Sequence, residues 1–252
     1  MKKLFAGIVV LAASLLPAAS ASAIVNGQPD GNRHPEVGAL LAQTAFPDGT
    51  WAECSGTLIS PTVFLTAAHC DEGVSHVNIT LDSSYVFPTG VTLPGTWHAD
   101  PAFRKGQGDP HDIAVVVLDN PVSGITPARL PAANSLSGLA KDQKFTPVGY
   151  GAQAVSSGGQ GGKHFSYADV RFFATGTLNA VTRSFLRISQ NASTGNGGTC
   201  YGDSGGPNFR GTGNVIAGIT ITGDTPCRST NVDYRLDTKS ARSFLSNYVT
   251  VP

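Results

Sequence analysis

From residue 24 onward, short apolar or alternating runs recur between turn signals. Val37–Thr44, Thr62–Thr66, His76–Leu81, Ile113–Leu118, Asp169–Ala174, Phe185–Ser189 and Val215–Ile221 are the clearest. Runs this short, with side chains falling alternately on two faces, predict strands, and strands at this spacing build a sandwich or barrels rather than a βαβ array. Helical periodicity is clear only near the C-terminus. Ala241, Phe244, Leu245 and Tyr248 recur every three or four positions behind a capping residue, Asp237 or Thr238, which predicts a helix over about 238–248. The stretch Asp119–Asp142, rich in Pro, Ala, Ser and Gly, reads as a crossover between two halves, and Ser156–Gly162 as a mobile surface loop. No repeat period indicates a solenoid.

Composition sharpens this picture and excludes several functions. The 252 residues include 30 glycines and 16 prolines, only 13 % are charged, and 17 basic residues balance 17 acidic ones. A zero net charge gives no basic face for nucleic acid or an anionic membrane. With 40 % apolar residues and 12 Phe, the chain can fill a core, so disorder is not expected.

The first 23 residues carry a different pattern. Lys2 and Lys3 precede an uncharged run, Leu4–Leu16, then Pro17 and small residues ending in Ala21-Ser22-Ala23. This is the form of a secretory signal peptide, bacterial in look, over 1–23. The apolar run is shorter than the roughly 20 residues that span a bilayer, and no second run reaches that length. Removing the leader takes two lysines and leaves 15 basic against 17 acidic groups, a net charge of −2. The mature chain is therefore expected to be secreted, extracellular and free of the membrane. Export lets the four cysteines form disulfides. Four cysteines allow three pairings that spacing cannot choose between, the local pairs Cys54–Cys70 and Cys200–Cys227 being the simplest. A zinc site is a poor rival, since no Cys-x-x-Cys or tight Cys/His cluster occurs.

Three fragments carry chemistry: Thr66-Ala67-Ala68-His69-Cys70, His111-Asp112-Ile113-Ala114-Val115 and Gly202-Asp203-Ser204-Gly205-Gly206-Pro207. A serine hydroxyl needs an adjacent base, a histidine titrates in the right range, and a buried carboxylate can orient the imidazole. With these motifs in the order His, Asp, Ser, residues 24–252 resemble the chymotrypsin/trypsin family of secreted serine proteases. The resemblance implies an all-β fold of two antiparallel six-stranded β-barrels packed together with a C-terminal α-helix. The first barrel is expected over about 24–132 and the second over about 133–236. It further implies Ser204 as nucleophile, His69 as general base and acid, and Asp112 as orienting carboxylate. Asp109 competes for that last role, but precedes Pro110 in a loop, whereas Asp112 abuts an apolar strand. The oxyanion donors would be the backbone N–H groups of Gly202 and Ser204. The disulfides would be Cys54–Cys70 and Cys200–Cys227. No cofactor and no metal are implied.

Ile24-Val25-Asn26-Gly27 resembles the family's processed N-terminus, whose free α-amino group pairs with the acid before the serine, here Asp203. Because Ala21-Ser22-Ala23 ends directly at Ile24, signal cleavage itself is expected to create that terminus. For the substrate pocket the resemblance points to Gly198 at the base and to Gly223 and Asn231 on the walls. Gly198 does not support cleavage after Lys or Arg, and a small-to-medium uncharged or apolar side chain is expected instead. Asp233 nearby could supply a negative charge to the pocket, but reads better as a solvated or structural acid. Ile221 stands where the family has a serine bonded to the triad carboxylate, and Thr222 where it has a wall tryptophan; Ala217–Gly223 reads as the substrate-binding strand. Asn78 and Asn191, in glycosylation-type triplets, read as turns, and Asp71, Glu72 and Asp82 as solvated loop charges. The expected activity is endopeptidase cleavage of protein or peptide substrates by a monomer, without nucleic acid. The alternative is a catalytically inactive binding protein on the same scaffold. An esterase elbow matches the glycines, but neither the β-rich context nor the triad order.

Overall fold

The computed structural model describes residues 24–152, 154–157 and 163–252. The leader expected over 1–23 lies outside these residues, as does most of the loop expected over Ser156–Gly162. Among the described residues, sixteen strands occur in chain order: β1 Gln28–Pro29, β2 Val37–Leu41, β3 Ala52–Ser60, β4 Val63–Thr66, β5 His76–Thr80, β6 Leu93–Ala99, β7 Ala114–Leu118, β8 Lys144–Gly149, β9 Ala154–Ser157, β10 Lys163–Ser166, β11 Phe172–Phe173, β12 Gly176–Val181, β13 Phe185–Ser189, β14 Pro207–Arg210, β15 Ile216–Gly223 and β16 Thr230–Arg235. A helix, α1 Lys239–Leu245, follows.

Two six-stranded antiparallel barrels result. The first closes as β2-β3-β4-β7-β6-β5, and the second runs β8-β12-β13-β16-β15-β14, closed by the pairing of β14 with β8. Closure pairs the edge strands of each barrel with one another. Val37, Leu58, Phe64, Leu65, Ile79 and Val115 are wholly buried inside the first barrel. The same apolar cluster continues through Phe209, Ile216 and Ile219 of the second, so one core crosses the seam between the barrels.

The termini are exchanged across that seam. β1 pairs with β11 on the second barrel's sheet, which departs from the expectation that the first barrel begins at residue 24. Arg171 explains the attachment: wholly buried, it donates to Asp30 at 2.9 Å and to the first-barrel carbonyls of Val37 and Leu81 at 2.7 and 3.1 Å. At the other end, Ala241, Phe244 and Leu245 of α1 join the shared core, and the Tyr248 ring packs 5.5 Å from that of His98 on β6. Thr238 caps α1 by accepting from the Ala241 N–H, and α1 stops at Leu245, earlier than the expected 248. Asp169–Ala174 was expected as one strand; only Phe172–Phe173 is. Asp169 takes a positive φ of 46° and turns its carboxylate to accept from the Trp51 and Ala52 N–H groups instead. Strands such as β6 and β8 hide from a periodicity reading because Pro94 and Gly95, and Pro147 and Gly149, interrupt their patterns.

Candidate active site

The cleft between the barrels is a cavity of about 670 Å³, with His69, Gly202, Ser204, Thr220 and Gly223 among its lining. His69 arrives there because β4 ends at Thr66, Ala67 stays extended, and a single tight turn, Ala68–Cys70, follows. The Cys54–Cys70 disulfide ties that turn back to β3. Asp112 arrives one residue before Ile113 and β7, and it is buried. Its Oδ1 accepts from the His69 backbone N–H at 2.9 Å, and its Oδ2 lies 2.8 Å from His69 Nδ1. A carboxylate can only accept, so Nδ1 carries a proton, and in the neutral form of the imidazole Nε2 is the acceptor. Asp109 is elsewhere: its oxygens take the Tyr234 hydroxyl at 2.8 Å and the Ser240 hydroxyl at 2.7 Å.

Ser204 sits in a loop held on both sides. The Ser204 carbonyl accepts from Ser55 N–H of β3 at 2.8 Å, and Gly205 N–H donates to the Thr220 carbonyl of β15 at 2.7 Å. Gly202 has a φ of +90°, and a Cβ there would meet the Gly151 Cα at 2.9 Å, so the position needs glycine. The Cys200–Cys227 disulfide closes the far wall of the cleft. Cys54, His69 and Cys70 bring three ligand-type atoms within 4.8 Å of one another, but both sulfurs are spent in the disulfide, leaving no thiolate for a metal.

Asp203 is wholly buried. Its carboxylate accepts from the Cys200 and Gly151 N–H groups, each at 2.8 Å. Burial outweighs those bonds and pushes its pKa up to about 7. Among the described residues no cation faces it. Ile24 is also buried, against Phe172 and Ala174, and Val25 bridges to Gly198, whose N–H donates to the Val25 carbonyl at 3.0 Å. Ile24 and Asp203 are not joined as an ion pair here, because the Ile24 nitrogen is a peptide amide following Ala23.

Of the three pocket positions read from the sequence, Gly223 lines the cavity, while Gly198 and Asn231 are buried beneath it. Gln190 covers Gly198, and a Cβ at Gly198 would lie 2.6 Å from that of Gln190. Under the cavity runs a buried polar layer. Asn208 donates to Asp233 at 2.8 Å and to Thr220 at 3.0 Å, and Asn231 donates to Asn208 at 3.1 Å. Burial pushes the Asp233 carboxyl well above its ordinary range, against the bonds from its polar neighbours. Ile221 and Thr222 line the cavity without reaching the Asp112 carboxylate. The sequence reading also passed over Glu53, which lines the cleft beside His69; burial, then the like charge of Glu72, raise its pKa. Among the described residues, the acidic lining groups are Asp48, Glu53 and Asp224, and no Lys or Arg lines the cavity.

A family model described as Trypsin matches residues 26–245. The chain belongs to the trypsin-like serine protease family. It is 32 % identical to brachyurin of Leptuca pugilator over 202 residues, covering 73 % of this chain and 84 % of that protein. It is 30 % identical to a trypsin of Saccharopolyspora erythraea over 199 residues, covering 76 % and 82 %. A chymotrypsin of Phaedon cochleariae is 29 % identical over 220 residues, covering 82 % and 75 %. The trypsin-like relatives support a serine-type peptidase function. No helix among the described residues is long and apolar enough to cross a membrane.

Proposed function

We propose that this trypsin-family chain is a secreted endopeptidase that cleaves extracellular proteins through an acyl-enzyme on Ser204. The observation that carries the reading is the double contact of His69 with Asp112 at the edge of the cleft that Ser204 also lines. With its proton held on Nδ1, the imidazole can take the Ser204 proton at Nε2 as the hydroxyl attacks a peptide carbonyl, then return it to the departing amine. The developing oxyanion would be met by the Gly202 and Ser204 N–H groups, whose loop is fixed before substrate arrives. The peptide would pair along β15 by backbone hydrogen bonds. The P1 side chain would be small to medium and uncharged, because Gln190 packs over Gly198 and the lining holds no Lys or Arg among the described residues.

The active form would begin at Ile24. Its freed α-ammonium would supply the cation that the buried Asp203 carboxylate lacks, and Val25 already pairs with Gly198 beside the substrate pocket. Secreted protein tests both parts. N-terminal sequencing of active material should begin at Ile24, and a start at Ser22 would contradict the one-cut route. On a casein-like substrate, Ser204→Ala should lose turnover while keeping the wild-type melting behaviour; retained turnover would overturn the reading.

A further inference from the structure

A second histidine–carboxylate pair stands directly behind the first. His111, the residue before Asp112, has a φ of +52°. Residues with a Cβ seldom take this left-handed conformation, although His, Asn and Asp do so more than most. The His111 side chain is tied down: its Nδ1 donates to Asp100 Oδ2 at 2.9 Å. Asp100 directly follows β6. Its other oxygen accepts from the Ala102 N–H at 2.9 Å, and its own N–H donates to the Ile113 carbonyl at 3.0 Å. One residue thus clamps both ends of the loop that runs from β6 to β7.

Inside the clamp, the Ile113 N–H donates to the His111 carbonyl at 2.9 Å, which makes Asp112 the middle of a three-residue turn. That turn sets the direction in which the Asp112 carboxylate leaves the backbone, and so places its two oxygens on the two N–H groups of His69. We propose that His111, anchored by Asp100, is a positioning residue for the triad carboxylate. The proposal rests on the reading of Asp112 as the orienting acid. His111 touches no substrate. Its Nε2 lies 4.0 Å from Asp109 Oδ2 and faces a second cavity, about 570 Å³, that Arg183, Ser184 and Lys239 also line.

Three substitutions separate backbone strain from the side-chain anchor. His111→Asn keeps both, since Asn tolerates the left-handed conformation and its amide can donate to Asp100. His111→Gly keeps only the conformation, and His111→Ala loses both. Active enzyme would be counted by titration with a covalent serine inhibitor, and folding followed by thermal melts. The Ala variant should lose kcat by roughly tenfold or more, since misplacing a catalytic contact by about 1 Å can cost about 10²-fold. KM should stay within about twofold, as expected for an interaction felt in the transition state. The Gly variant should fall between, and Asn within about threefold of wild type. The low-field proton resonance of the His69–Asp112 hydrogen bond should persist in the Asn variant and broaden or vanish in Ala. A folded Ala variant with wild-type kcat and resonance would overturn the proposal. If Ala does not fold, equal kcat in the Gly and Asn variants would overturn it equally. Asp112→Asn, run alongside, separates the failures: turnover unchanged there removes the triad reading itself, whereas a loss there with wild-type His111→Ala removes only the positioning role.

Discussion

At the residue scale, the geometry turns on donors and acceptors around His69. Its ring and backbone each give one N–H to Asp112, and nothing else in the described hydrogen-bond network competes for that carboxylate. Asp112→Asn would put an amide where an acceptor is required, favouring the wrong imidazole tautomer. A fall in kcat of roughly 10⁴ is expected, the order typical of a change that fixes the wrong tautomer, measured on a peptide ester with melting temperature as the folding control. These residues were legible in the sequence because each sits in a short local pattern: His69 at the end of an apolar run, Asp112 at the start of one, Ser204 among glycines. Gln190, Asn208 and Glu53 were not legible. Glu53 lines the cleft, whereas Gln190 and Asn208 are buried, and strand register and barrel closure set their partners, as when Asn208 of β14 meets Thr220 of β15 and Asp233 of β16; no local spacing records that.

At the scale of single elements, the N-terminal segment carries the clearest pH prediction. In the unprocessed chain, burial raises the Asp203 pKa from 3.8 to about 7. The folded state then holds a proton that the unfolded state has released, so stability falls as pH rises between about 4 and 7 and is level above. A processed chain, with an α-ammonium near Asp203, should escape this loss. Melting temperatures of the two forms should therefore diverge between pH 5 and pH 8, the unprocessed one dropping. Parallel curves would remove the role given to Asp203. The processed enzyme should lose activity at alkaline pH, above the ordinary α-amino range of about 7.7–8.0, because the pairing raises the amine's pKa. The C-terminal element was readable in the sequence to within a turn, and Thr238 is its cap. Thr238→Ala should cost about 1 kcal/mol, seen as a small drop in the urea midpoint at constant slope.

For the whole molecule, two barrels followed from the resemblance and from the spacing of strands, whereas the exchange of termini across the seam did not. That exchange hangs on Arg171 and Asp30, both without side-chain exposure. Burial alone would raise the Asp30 pKa, but the bonds from His34 and Arg171 outweigh it and hold it below its ordinary value. A depressed carboxylate contributes stability above its unfolded pKa near 4, and this is lost as the pH falls further. Asp30→Ala leaves a buried guanidinium without its partner, a change that costs about 3–5 kcal/mol. The variant's melting temperature at pH 7 should fall by roughly 10 °C, taking about 2–4 °C per kcal/mol for a chain of this size. Its acid limb below about pH 4 should be shallower than the wild type's. The barrels and their shared core frame one cleft, lined by His69 from one half and Ser204 from the other, and the proposed reaction needs those two groups to meet there. The most direct measurement is the site of attachment of a fluorophosphonate-type serine reagent on the processed protein, read by peptide mass spectrometry alongside residual proteolysis. A single adduct on Ser204, stoichiometric loss of activity and no labelling of His69→Ala are expected; an adduct on another residue, or full labelling that leaves proteolysis intact, would contradict the proposed role of Ser204.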